Sequence, residues 1–169
     1  MKNKIVLLFI TATLAMVKVC PGENKGANLF SDNTGAKNDT TETVNIMAAD
    51  NKMNIKIGAK ELTVTLADNS SVDALKAALE KGPITVNMKD YGSMEKVGSL
   101  GRDFPRNDER ITTEAGDVIL YQGSALVIYY APNTWSFTRL GKIDNVSKEE
   151  LKAILGGSSV TVTLSLPQN

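Results

Sequence analysis

Gly116-Asp117-Val118-Ile119-Leu120-Tyr121-Gln122-Gly123-Ser124-Ala125-Leu126-Val127-Ile128-Tyr129-Tyr130 is the stretch that decides the fold class. Val118 to Tyr121 is an apolar run too short for a helix, and Ala115-Gly116-Asp117 turns the chain into it. Gln122-Gly123-Ser124 is a turn, and Ala125 to Tyr130 is a second short run rich in branched and aromatic residues. Two buried strands around a tight turn follow. Pro132-Asn133 breaks the second strand, and Trp135 to Leu140 resumes as a third.

The same short-strand rhythm extends in both directions. Met53-Asn54-Ile55-Lys56-Ile57 alternates apolar and polar residues, Gly58-Ala59 turns, and Glu61 to Ala67 alternates again, which predicts a hairpin. After Asp68-Asn69-Ser70, with Ser70 as the expected N-cap, Val72, Leu75, Ala78 and Leu79 recur at helical spacing until Gly82-Pro83. Ile84, Val86 and Met88 return to strand alternation. Tyr91 to Glu114 loses all periodicity and is expected to be a long functional loop. Downstream, Ser147-Lys148-Glu149-Glu150 is a capping box that opens a helix to Leu155, expected to bury Leu151, Ile154 and Leu155. Gly156-Gly157 ends it, and Val160, Val162 and Leu164 form a last strand. Many short strands with two helices predict a mainly β domain: a closed or nearly closed barrel with the helices plugging its ends.

Two stretches carry a family resemblance. Gly116 to Gly123, and Tyr129-Tyr130-Ala131-Pro132-Asn133-Thr134-Trp135-Ser136-Phe137-Thr138-Arg139-Leu140-Gly141-Lys142-Ile143, resemble the small bacterial cyclophilin-like domains, with Leu100-Gly101-Arg102-Asp103-Phe104-Pro105 agreeing upstream. Those domains occur alone, behind export signals or joined to flavodoxins. The resemblance covers residues 53–166 and implies a closed cyclophilin-like eight-stranded β-barrel capped by two α-helices. Catalytic cyclophilins carry an arginine beside a Phe-x-x-Gln-Gly-Gly stretch, with a tryptophan and a histidine lining the proline pocket. This chain has no histidine, and Tyr121-Gln122-Gly123-Ser124 is only superficially like the glutamine stretch.

Composition narrows the function. With no histidine and a single cysteine, the chain alone builds neither a Cys/His zinc site, nor a Ser-His-Asp or Cys-His mechanism, nor an internal disulfide. Lysine plus arginine equals aspartate plus glutamate at 19 each, which gives no general pull towards nucleic acid. No cofactor and no metal are implied. The expected partner is a peptide or small molecule held in a barrel-side cleft without efficient catalysis. The alternative is a peptidyl-prolyl cis-trans isomerase with an atypical active site.

The ligand-binding candidates are Arg102, Phe104, Tyr121, Gln122, Trp135 and Arg139. Arg102 can donate to a carbonyl or carboxylate beside an apolar floor from Phe104; against this, it is equally an arginine solvated on a loop or paired with Asp103 or Asp108. Tyr121 and Gln122 could project polar groups at a strand end, or Tyr121 could be half-buried with a wet hydroxyl. Trp135 and Phe137 share a strand face, with Arg139 on the same parity at the rim. That face is a candidate ligand floor, and core packing of the one tryptophan is the competing and simpler reading.

The N-terminus has a different character. Lys2 and Lys4 precede an apolar run from Ile5 to Val17, the pattern of an export signal over residues 1–20. The run is shorter than the roughly 20 residues a membrane span needs, and the polar residues 21–52 read as a flexible linker, offering nothing for a buried helix to pack on. Two processing routes fit. Cys20 stands where a lipoprotein carries its lipid, although Val17-Lys18-Val19 departs from the usual small residues; conventional cleavage after Ala15, with Thr13 at the third position back, fits equally. The expected location is the periplasm or cell envelope, lipid-anchored through Cys20 or soluble. Intact-mass measurement of protein from the envelope fraction should show loss of about 15 to 19 N-terminal residues, the span between these two cleavage points. A diacylglyceryl adduct on Cys20 would establish the anchor, and unprocessed Met1 in the cytosol would overturn export.

Overall fold

A computed structural model describes residues 51–168. The expected export segment, Cys20 and the linker as far as Asp50 lie outside the described residues. The elements in chain order are β1 (Lys52–Ile57), β2 (Lys60–Leu66), α1 (Ser70–Leu79), β3 (Ile84–Tyr91), β4 (Glu95–Ser99), β5 (Glu109–Thr112), β6 (Asp117–Tyr121), β7 (Ala125–Tyr129), β8 (Thr134–Ile143), α2 (Lys148–Leu155) and β9 (Ser159–Ser165).

The strands pair antiparallel in the order β2-β1-β9-β3-β4-β7-β6-β8, and β2 pairs back onto β8, closing an eight-stranded barrel. β5 stands outside the ring and pairs with the first half of β8, Glu109 opposite Phe137 and Ile111 opposite Trp135. The second half of β8 pairs with β6 and β2, and its register shifts where it passes Val118 and Ile119.

Alternation in the sequence becomes inside and outside of this ring. Met53, Ile55 and Ile57 of β1, Val64 and Leu66 of β2, Val118 and Leu120 of β6, Leu126 and Ile128 of β7, and Val162 and Leu164 of β9 meet in one interior cluster. Both helices add their apolar stripes to it, Val72, Leu75 and Leu79 from α1, Leu151 and Leu155 from α2. Strand register places the two helices at opposite ends. α1 follows β2 at the end where Leu66 meets Gly141, and α2 follows β8 at the end beyond Ile143.

Three local expectations need correction. The region expected to be one irregular loop, 91–114, holds β4 and β5. β4 has no readable alternation because its inward positions are Lys96 and Gly98. Gly98 is required there, since a Cβ would lie 2.6 Å from the Asn87 carbonyl oxygen. The N-cap of α1 is Asn69 rather than Ser70: its side-chain oxygen accepts from the amides of Ser71 and Val72 at 3.1 Å each, while its Nδ2 donates to the Arg139 carbonyl. An amide can do both, and a serine hydroxyl reaches less far. Ile154 is only half-buried, whereas Ser147 caps α2 as expected by accepting from the Glu150 amide at 3.1 Å.

The α2 end of the barrel is fastened by a buried cation. Lys96, 1% exposed, donates to Asp90 Oδ1 at 2.9 Å and to the Gly157 carbonyl just beyond α2. The Tyr130 hydroxyl donates to the same carboxyl oxygen. The Tyr130 bond first, and the Lys96 ammonium second, hold the Asp90 carboxyl below its ordinary value. A carboxyl whose folded value is depressed stabilises the fold above its unfolded value of about 3.9, and that contribution disappears as pH falls through the folded value. Asp90→Asn should therefore cost about 1.5–3 kcal/mol at pH 7, the worth of a charge-assisted hydrogen bond. The variant should also lose less stability than the wild type on acidification below pH 4. Urea unfolding at pH 7 and pH 3 checks both, and parallel pH curves would refute the assignment.

Candidate functional site

The outer face of β4, β6 and β7 is as apolar as the inside. Ile119, Val127, Tyr129 and Phe137 form a second buried cluster there, with Val97, Ile111 and Tyr121 packed against it. This explains why β6 and β7 read as continuous apolar runs: both their faces are covered. The cover is the first half of β8 with β5, folded back over the outer wall.

The cover is incomplete, and a cleft of about 390 Å³ remains. β4 contributes Glu95 and Val97, β6 Tyr121, β7 Val127 and Tyr129, β8 Trp135 and Phe137, the turn before β8 Asn133, and the end of β3 Tyr91. Pairing fixes their spacing: Glu95 lies opposite both Tyr91 and Tyr129, and Val97 opposite Val127. Phe137 meets Tyr121 edge-on at 6.2 Å between ring centres and Tyr129 at 5.6 Å, locking the floor. At the mouth stand Tyr91 and Trp135, 69% and 58% exposed, the two exposed large hydrophobic side chains among the described residues.

One charged group lines the cleft. Glu95 is 8% exposed, and one of its carboxyl oxygens, Oε2, is buried without a hydrogen-bond partner among the described residues. The carboxyl is hydrogen-bonded to the Tyr129 hydroxyl, which in turn accepts from Asn133 Nδ2 at 3.2 Å. Burial pushes the Glu95 carboxyl up from its ordinary value, and the Tyr129 bond only partly opposes this. Burial and the bond to Glu95 push the Tyr129 phenol well above its ordinary range, so it remains a neutral donor at any physiological pH. No group of three or more histidine, cysteine, aspartate or glutamate side chains able to hold a metal ion occurs among the described residues.

Of the six candidates read from the sequence, Tyr121 and Trp135 line this cleft. Gln122 is exposed in the turn behind it, its backbone left-handed at φ 51°, and donates to the Tyr121 hydroxyl at 3.3 Å. Trp135 is not core. The first half of β8 pairs only with β5, so no second layer covers the ring. Phe104 points the other way and is buried in the interior cluster, its amide donating to the Gly123 carbonyl at 2.7 Å. Arg102 is exposed on the same loop and neither lines the cleft nor pairs with Asp103 or Asp108. Asp108 is instead bound by Arg106 and by Thr138 Oγ1. Arg139 is half-buried on Asp117, Nη2 to Oδ2 3.3 Å. Glu95, Tyr91, Tyr129 and Asn133 escaped the sequence reading. Tyr129 and Asn133 lie in the stretch that carries the family resemblance, whereas Glu95 and Tyr91 fall where periodicity is lost.

A closed eight-stranded antiparallel barrel with a helix at each end defines a cyclophilin-type barrel. The chain belongs to the Cyclophilin-like family, whose model matches residues 55–165. In fold it is similar to the hypothetical protein AF2241 from Archaeoglobus fulgidus, known from a solution structure, with a TM-score of 0.51 and 18% identity over 69% of this chain and 94% of that one. It is also similar to McbB, in a structure in complex with tryptophan, with a TM-score of 0.50 and 17% identity over 69% of this chain; the match spans 45% of McbB. At these identities the likeness is one of fold. No curated protein matches the sequence.

A carboxyl whose folded value is raised weakens the fold as pH climbs from its unfolded value through its folded one, and the penalty is complete above the latter. Glu95→Gln removes the charge and keeps an acceptor for Tyr129. Its melting temperature should match or exceed that of the wild type at pH 7, with the difference closing towards pH 4. Scanning calorimetry across that range checks this; a variant less stable than the wild type at pH 7 would show that the charge is compensated within the cleft.

Proposed function

We propose that this chain is an exported member of the Cyclophilin-like family that holds a peptide or small molecule in the outer-wall cleft and performs no efficient chemistry on it. The observation that carries this reading is the pairing of Tyr91 and Trp135 over one cleft. Two large rings left in water at the mouth of an apolar pocket contribute nothing to folding, and they are the side chains that gain most from a ligand. Export rests on the pattern of residues 1–20 and the polar linker behind it.

Prolyl isomerisation is the other use to which such a barrel is put. The amide barrier is about 18–20 kcal/mol, and lowering it requires a donor that favours the twisted amide over the planar one. An arginine would supply about ten- to a hundredfold of that. No arginine lines the cleft, and the amide of Asn133 is engaged on Tyr129. A carboxylate at the centre of the site repels the carbonyl oxygen that an isomerase must hold.

Trp135 is the sole tryptophan of the chain, so its fluorescence reports occupancy of the cleft directly. Titration with proline-containing and aromatic peptides should give a saturable change in its emission, while a protease-coupled proline-peptide assay shows no acceleration. Trp135→Ala should weaken ligand binding by about tenfold or more in calorimetry, with its melting temperature within about 2 °C of the wild type. Catalysis that disappears in Arg102→Ala with the fold intact would overturn the proposal in favour of an isomerase.

A further inference from the structure

We infer that the cleft takes a ligand bearing a protonated primary amine on a ring-sized apolar body, with the ammonium seated against the Glu95 carboxylate. The inference rests on the reading of the cleft as a binding site and adds the chemical class of what it binds. Three observations lead to it. Glu95 is more than nine-tenths buried and lines the cleft, and its Oε2 has no hydrogen-bond partner among the described residues. No lysine or arginine lines the cleft, so the protein does not neutralise the charge from its own side chains. The remaining walls are mostly aromatic, and Tyr91, Trp135, Tyr121 and Phe137 line the same cleft.

A buried carboxylate without a counter-ion is costly. The Tyr129 phenol beside the carboxyl is a neutral donor and leaves the net charge in place. A ligand ammonium supplies both missing elements, a charged N–H donor for the carboxylate and a positive charge. The surrounding ring faces add attraction for the same cation and, because they exclude water, strengthen the pair. Other ligand classes complete less of the site. An alcohol or amide supplies the hydrogen bond and leaves the charge. A quaternary ammonium supplies the charge and has no N–H for the carboxylate. A carboxylate is repelled.

The closing experiment compares three near-isosteric probes on the full mature protein by calorimetry and Trp135 fluorescence: 2-phenylethylammonium, 2-phenylethanol and 3-phenylpropionate. The ammonium should bind about ten- to a hundredfold more tightly than the alcohol, the range of one charge-assisted hydrogen bond, with the carboxylate weakest. In Glu95→Gln, the preference for the ammonium over the alcohol should disappear. The ranking on the wild type stands without the variant, so a misfolded variant does not remove the test. If the alcohol or the carboxylate matches the ammonium while all three still depend on Trp135, the cleft is a binding site and the amine assignment is wrong. If none of the three binds, the amine assignment fails, and the peptide titrations separately decide whether the cleft binds at all.

Discussion

The last pairing of the ring, β2 onto β8, holds the rest of the architecture in place. Val64 meets Ile143, Thr65 meets Lys142 and Leu66 meets Gly141. Gly141 makes this possible: a Cβ there would drive into the Thr65 carbonyl and lie 2.8 Å from a Val64 methyl. A polar clasp secures the seam from outside, Lys52 reaching both Thr65 Oγ1 and Asp144 Oδ2, and Thr65 donating to Asp144 Oδ1. Once the ring is closed, β4, β6 and β7 cannot flatten or slide. The cleft side chains on their outer faces are then held by paired strands rather than by loops, the condition for a pre-organised binding surface.

That rigidity explains how an unfavourable group is kept at the centre of the wall. Glu95 sits opposite Tyr129 at the start of a strand whose next residue, Lys96, is buried with two partners. The two adjacent charges of β4 therefore face opposite sides of the barrel wall with opposite outcomes. Lys96 finds a carboxylate and a carbonyl and fastens α2, while Glu95 finds a neutral phenol and keeps an oxygen without a partner among the described residues. The proposed binding role rests on this pairing of a group retained at a cost to folding with aromatic rings left in water.

Much of the barrel was legible in the sequence because its strands obey simple periods. The β1–β2 hairpin alternates cleanly, β6 and β7 are apolar on both faces and bounded by turns, and the capping box at Ser147 marks α2 without ambiguity. Residues 91–114 were not legible. β4 inverts the usual pattern by turning a lysine and a glycine inward, and β5 has one apolar residue, Ile111, on which no period can be read. The site suffered for the same reason. Glu95 and Tyr91 belong to that stretch, and a carboxylate in a polar run carries no sign of its burial. Trp135 shared a face with Phe137 as read, yet its exposure depends on β8 leaving the ring halfway along its length, which only the three-dimensional pairing shows.

The position of β5 has a consequence for how molecules of this protein behave towards one another. Closure leaves the eight ring strands with no open edge, so β5, bonded to β8 on one side, carries the sheet's exposed rim. An open rim is where a second chain can add on and begin aggregation. Here the rim is four residues long, and Glu109, Arg110 and Thr112 stand exposed along it. A strand so short and so charged gives an incoming chain little to pair with at this rim.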